Sequence, residues 1–206
     1  KLSAEDIYSI NKSSLKDAIC LFGGGCTAEV VSEQGLIFTN HHCGHSAIQQ
    51  HSSLENNYLK DGFWANSFEE ELPNPSLSVT FLIRMEDVTT KVLEGVLPSM
   101  TEKERKDIIY NNMEKIEEES VKNTLYKASI KPFYYGNEYY LFITETFNDV
   151  RLVGTPPDAI GGFGGDTDNW MWPRHTGDFS VFRIYADKNN QPAAYSKDNI
   201  PYTPKK

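Results

Sequence analysis

Residues 26–43 read CTAEVVSEQGLIFTNHHC, and this stretch decides the fold. Val30 and Val31 lead into the polar turn signal Ser32-Glu33-Gln34-Gly35, and Leu36, Ile37, Phe38 and Thr39 follow as a second extended run. Two runs of β formers joined by a short glycine-containing turn predict a β-hairpin, here ending at Asn40-His41-His42-Cys43. Upstream, Ser14 stands three residues before Asp17 and predicts a capped helical turn at 14–20. Gly23-Gly24-Gly25 then punctuates the chain. That triplet lacks the Lys and Ser/Thr of a phosphate-binding loop and the spacing of a dinucleotide fingerprint, which argues against a nucleotide site.

Downstream, the sequence predicts a helical turn at Ser46–His51, a turn-rich stretch at 58–75 and a return to β character at 77–88. Residues 101–119 change character. Thr101 and Glu104 form a capping box, and Ile109, Met113 and Ile116 make one apolar stripe. Glu102/Lys106 and Lys103/Asp107 sit at i,i+4 on the wet side, and the pattern extends toward Leu125. Residues 130–155 read again as β, with a turn at Gly136-Asn137. The run GGFGGDTDNWMWPRHTGD at 161–178 is too glycine-rich for regular structure and reads as a tightly folded loop. A strand opening at Phe179 follows, then a polar tail at 192–206. The sum is a mainly β chain, antiparallel, with one inserted helical segment. Its division is a β-rich region at 1–95, a helical segment at 96–127 and a second β-rich region at 128–206.

Composition bounds the function. With 206 residues, 39% apolar and 12% aromatic, the chain can bury a core. Twenty-nine acids against 20 bases give a net charge of −9, so a nucleic-acid backbone is not an expected partner. No apolar run approaches the roughly 20 residues of a membrane-spanning helix. The chain opens at Lys1 with no leader, so a secreted protein would already have lost it. Three cysteines permit one bridge and one spare thiol.

The concentrated chemistry is Thr39-Asn40-His41-His42-Cys43-Gly44-His45. One reading is a metal hydrolase, with His51 as a further ligand. Structural zinc sites draw on separated ligand pairs, however, and the remaining cysteines, Cys20 and Cys26, do not supply a second knuckle. No metal or cofactor is expected. The other reading makes His42 a general base at the end of a strand, anchored by a half-cystine at Cys43. Cys26 lies 17 residues earlier across the hairpin, and a Cys26–Cys43 bridge would pin its base in an oxidising compartment. Such a base needs a carboxylate on its second ring nitrogen. Asp178 is the leading candidate, with Asp166 and Asp168 as competitors and turn capping as the alternative role for each.

This arrangement resembles the chymotrypsin-like double β-barrel proteases. Longer blocks sharpen it: SLKDAICLFGGGCTAEVVSEQGLIFTNHHCGHSAIQQHSS, YLKDGFWA, GGFGGDTDNWMWPRHTGDFSVFRIYAD and PAAYSKDNIPYTPKK, in that order, are similar to the bacterial S46 peptidases of the dipeptidyl peptidase 7 and dipeptidyl peptidase 11 type. The similarity covers nearly the whole chain and is weakest at 95–135. It implies a serine exopeptidase that releases dipeptides from oligopeptide N-termini, in the periplasm or on the outer surface of a Gram-negative bacterium. It implies a double β-barrel with an inserted helical domain, and it is compatible with a homodimer of the full-length enzyme. By the same resemblance His42 is the base, Asp178 its orienter, Cys26 and Cys43 the disulfide, and Asn169, Trp170 and Arg174 flank the pocket for the substrate N-terminus.

The chain departs from the family pattern in one respect. A nucleophile serine should follow the aspartate, yet only Ser180 and Ser196 do, and neither has glycine-rich surroundings. The expectation is an N-terminal piece of a protease, inactive alone. The competing reading is a non-catalytic β-rich module that holds peptide in the 161–178 loop.

Overall fold

A computed structural model describes residues 1–10, 12–162, 172–173 and 176–205. Among the described residues, eleven strands form one antiparallel sheet: β1 (Ile19–Phe22), β2 (Cys26–Val30), β3 (Leu36–Thr39), β4 (Phe63–Trp64), β5 (Leu72–Pro73), β6 (Val79–Asp87), β7 (Lys127–Phe133), β8 (Glu138–Phe147), β9 (Asp149–Thr155), β10 (Ser180–Ala186) and β11 (Ile200–Pro201). The order is β4-β9-β10-β3-β2-β1-β6-β8-β7, with β5 added to β9 and β11 to β10. The helices are α1 (Ala4–Ile7), α2 (His41–His51), α3 (Tyr58–Asp61), α4 (Thr89–Val92), α5 (Glu102–Ser120) and α6 (Asp158–Gly161).

The β2–β3 hairpin forms as the sequence reading expects, pairing Glu29 with Phe38 and Val30 with Ile37. Gly35 sits in its turn at φ +65°, where an added Cβ would meet the Ile184 carbonyl at 2.8 Å. The sheet curls until distant strands touch: Phe22 on β1 meets Phe182 on β10 with ring centroids 4.9 Å apart. Ala28, Ile37, Val79, Phe147, Val150, Leu152 and Ile184 fill the space between them, all fully buried. Strand β8 shows the cause in its burial, which alternates residue by residue along its whole length.

A second, smaller core lies beyond the first. Val88, Val92, Ile130, Tyr139, Leu141 and Ile143 are buried there, and Ile109, Met113 and Ile116 of α5 pack on them. The apolar stripe read from the sequence therefore faces this cluster, and the Thr101/Glu104 capping box closes the helix start. The wet side carries Glu102–Lys106 at 2.6 Å.

Four expectations need correction. First, α5 stops at Ser120 rather than running toward Leu125, because Val121 leaves helical geometry and Asn123 takes a positive φ of 62°. Second, β10 starts at Ser180, one residue late; Phe179 instead lies beside Trp64, with ring centroids 6.2 Å apart. Third, the tail at 192–206, read only as polar, contributes a strand and a buried tyrosine. Ile200 and Pro201 pair with β10, and Tyr202 is 4% exposed against Phe81 and Phe147. Fourth, the helical turn expected at Ser46–His51 begins at His41. His42 does not end a strand. It lies in the first turn of a helix.

Candidate active site

The position of His42 follows from how that first turn is tied down. β3 ends at Thr39, whose Oγ1 donates to the Thr27 carbonyl at 2.7 Å, and α2 starts two residues later. Cys43 is bonded to Cys26, so the helix is covalently joined to the start of β2. Ser180 Oγ donates to the Asn40 carbonyl at 3.0 Å and fixes the turn to β10. Gly44 lets the helix press onto that strand, since a Cβ there would lie 2.6 Å from Ser180 Oγ.

Asp178 closes the arrangement. Its Oδ2 is 2.9 Å from His42 Nδ1 and its Oδ1 accepts the His42 backbone N–H at 3.2 Å. Asn40 Nδ2 adds a third donor, 3.0 Å from Oδ2. Three donors satisfy a carboxylate that is only 12% exposed at its side chain. The start of α2 also presents the positive end of its peptide dipoles to this negative charge. The His42 side chain is 66% exposed, so with Nδ1 committed to Asp178 the ring leaves Nε2 for an incoming group. That is the geometry of an oriented general base.

His42 opens onto a cleft of about 660 Å³ shared with His45, Ser46, Asp158 and Gly162. The other histidines do not share Asp178. His41 is buried and lies 2.6 Å from Asp158 through Nε2, and His51 is 3.0 Å from Asn74. His45 stands 3.7 Å from the other Asp158 oxygen. Cys26, His42 and Cys43 are near enough to hold an ion, but the disulfide consumes both sulfurs as ligands. Cys20 is the spare thiol, buried and donating to the Ala28 carbonyl.

Asn169, Trp170 and Arg174, and the competing Asp166 and Asp168, lie outside the described residues. The sequence reading missed two participants, Asn40 and Asp158. Asn40 carries a local signal, since Asn is a preferred residue at a helix start. Asp158 meets His41 across 117 positions, and only the fold reveals that.

The sequence profile of Peptidase S46 matches residues 1–206. The chain belongs to this family. An Asp/Glu-specific dipeptidyl-peptidase of Capnocytophaga gingivalis is 59% identical over 205 residues, spanning 100% of this S46 chain and 29% of the relative. A dipeptidyl-peptidase 7 of the same organism is 57% identical over 206 residues, again spanning 29% of the relative. The crystal structure of Porphyromonas endodontalis DPP11 in complex with the dipeptide Arg-Glu superposes with a TM-score of 0.85 at 51% identity, covering 100% of this chain and 30% of that one. This S46 chain thus spans less than a third of the length of the relatives it matches.

Proposed function

We propose that the full-length protein is a serine-type dipeptidyl peptidase with His42 as its general base and Asp178 as the residue that orients it. The observation that carries this reading is the Asp178 contact with His42 Nδ1 at 2.9 Å, with His42 lining a cleft. His42 Nε2 takes the proton from the attacking serine and returns it to the leaving amine, and water then hydrolyses the acyl-enzyme. Asp178 holds the tautomer and balances the imidazolium. The serine comes from sequence outside these 206 residues, within the seven-tenths of the relatives' length that the chain does not span. The companion barrel of a chymotrypsin-like fold belongs to the same remainder. The Cys26–Cys43 bridge supports an oxidising location, the periplasm or outer surface of a Gram-negative cell. The substrate is the free N-terminus of an oligopeptide. Relatives named for Asp/Glu specificity and as dipeptidyl-peptidase 7 match this region almost equally, at 59% and 57%.

The test is release of a fluorophore from dipeptidyl substrates with acidic and with hydrophobic penultimate residues. The full-length protein is expected to cleave one class. His42→Ala is expected to abolish cleavage, and residues 1–206 alone are expected to be inactive. Full activity in His42→Ala would remove the assignment.

A further inference from the structure

A second histidine–aspartate pair stands directly behind the first. His41 is 1% exposed at its side chain, and both ring nitrogens are engaged: Nε2 with Asp158 Oδ1 at 2.6 Å and Nδ1 with Thr155 Oγ1 at 3.0 Å. Its ring also lies flat against Gly161, where an added Cβ would come within 2.3 Å of His41 Cγ. One residue of α2 therefore grips both ends of α6. The next link is a backbone bond, because the Ile160 carbonyl accepts the Gly177 N–H at 3.1 Å. Gly177 immediately precedes Asp178, which returns to α2 at His42. The chain of contacts is a closed circuit: His41 to α6, α6 to Gly177, Gly177 to Asp178, Asp178 to His42.

We propose that His41 and Asp158 are positioning residues for the reaction, fixing α6 so that Gly177 presents Asp178 to the base. This rests on the assignment of His42 and Asp178 made above. A purely apolar side chain at 41 would fill the space yet remove the bond that ties Asp158, at the start of α6, to the core, leaving Thr155 with the Pro156 carbonyl and Asp158, 41% exposed, with His45 and water. With its buried tether gone, α6 is free to shift, and Gly177 with it. A shift of about 1 Å in a catalytic group is enough to cost about 10²-fold in rate.

The experiment uses the full-length enzyme with His41→Leu, His41→Gln, Asp158→Asn and His42→Ala. It measures kcat and KM on the fluorogenic dipeptidyl substrate, the rate of labelling by a fluorophosphonate, and the concentration of labelled sites. His41→Leu is expected to lower kcat and the labelling rate per site together, by about 10- to 10²-fold, with KM within about threefold of the parent. Asp158→Asn is expected to do the same more mildly. His41→Gln keeps a donor for Asp158 and is expected to recover most of kcat. Unchanged kcat per labelled site in His41→Leu and Asp158→Asn, beside an inactive His42→Ala, overturns the inference and leaves the base assignment standing. A raised KM at constant kcat in Asp158→Asn also overturns it, because that marks a substrate contact. Activity in His42→Ala defeats the underlying assignment instead. Should His41→Leu not fold, the kcat and labelling rates of Asp158→Asn and His41→Gln decide the question by the same criteria.

Discussion

Asp178 holds His42 at two places at once, the ring through Oδ2 and the backbone N–H through Oδ1. It therefore caps the helix that carries His42 while it holds the His42 ring. Asn40 occupies the N-cap position, yet its side chain makes no capping bond; it donates to Asp178 instead. Orientation and helix start thus depend on one carboxylate, and they can be separated by substitution.

Asp178→Asn keeps an oxygen for the His42 N–H but places an NH₂ where Oδ2 was, which favours the wrong imidazole tautomer. Turnover of the full-length enzyme is expected to fall about 10⁴-fold, the size of the same change in a serine-protease triad. Stability should fall by up to about 1 kcal/mol, because the Asn40 amide then faces a second amide donor. Asp178→Ala removes the cap as well, and should cost about 1 kcal/mol in addition. Kinetics and urea denaturation of the two variants, side by side, check both halves.

The Cys26–Cys43 bridge closes a loop of 17 residues around the hairpin and the first turn of α2. Restricting the unfolded chain over that span contributes about 3 kcal/mol in the loop-entropy picture. A Cys26→Ser/Cys43→Ser double variant is expected to lose that stability. Its kcat should fall further than the loss of folded protein explains, since the turn bearing His42 is released. Non-reducing peptide mapping should recover the two cysteines in one linked pair.

The hairpin and the helix at Thr101 were legible because their signals are local: a turn between β formers, a cap and a stripe. Asp178 was legible as a candidate, but the motif left it beside Asp166 and Asp168. What chooses among them is pairing of Ser180 with Thr39, which delivers Asp178 to the end of β3, and no local pattern encodes that register. His42 was misplaced on a strand for a related reason. The residues at Asn40–Gly44 carry weak helix propensity, and the helix there rests on tertiary supports: the disulfide, Ser180 and Asp178. The tail, read only as polar, is held by partners that are remote in sequence. Asn199 donates to Asp149 and Lys205 to Glu145, and Arg151, bound to Asp149, also donates to the Ser196 carbonyl.

Burial predicts how the fold meets alkali. Removal from water pushes the Cys20 thiol from its ordinary 9.0 up to about 12, and the Tyr202 phenol from 10.0 up to about 12. Burial, and next the Glu71 carboxylate that accepts its hydroxyl, raises Tyr185 as well. In the unfolded chain these groups ionise first, so alkali favours unfolding. Their contribution is complete below the unfolded values and is lost as pH climbs through the folded ones. Stability is expected to decline between about pH 9 and 12, followed by thermal melts at stepped pH. In the same terms Cys20 should resist alkylation in native protein in mildly alkaline buffer, and react once urea unfolds it.

Gly44 offers the sharpest test of how closely the His42 helix must approach β10. In an exposed helix, Gly→Ala gains up to about 1 kcal/mol from backbone entropy. Here the new methyl would lie 2.6 Å from Ser180 Oγ and 3.0 Å from the Phe182 ring. Phe182 is fully buried and cannot swing aside, and Ser180 Oγ is tied to the Asn40 carbonyl. Overpacking of this kind costs about 1–3 kcal/mol, so it outweighs the propensity gain. Gly44→Ala is therefore expected to be destabilised by up to about 2 kcal/mol and to lift the first turn of α2 away from Asp178. Ser180→Ala removes one obstructing atom. The double variant should then recover part of the stability lost by Gly44→Ala, a non-additivity of the sort that contacting residues show. Denaturation midpoints and kcat for the two single variants and the double variant complete the cycle. A Gly44→Ala protein as stable and as active as the parent would mean that the helix does not need this close approach to hold His42 in place.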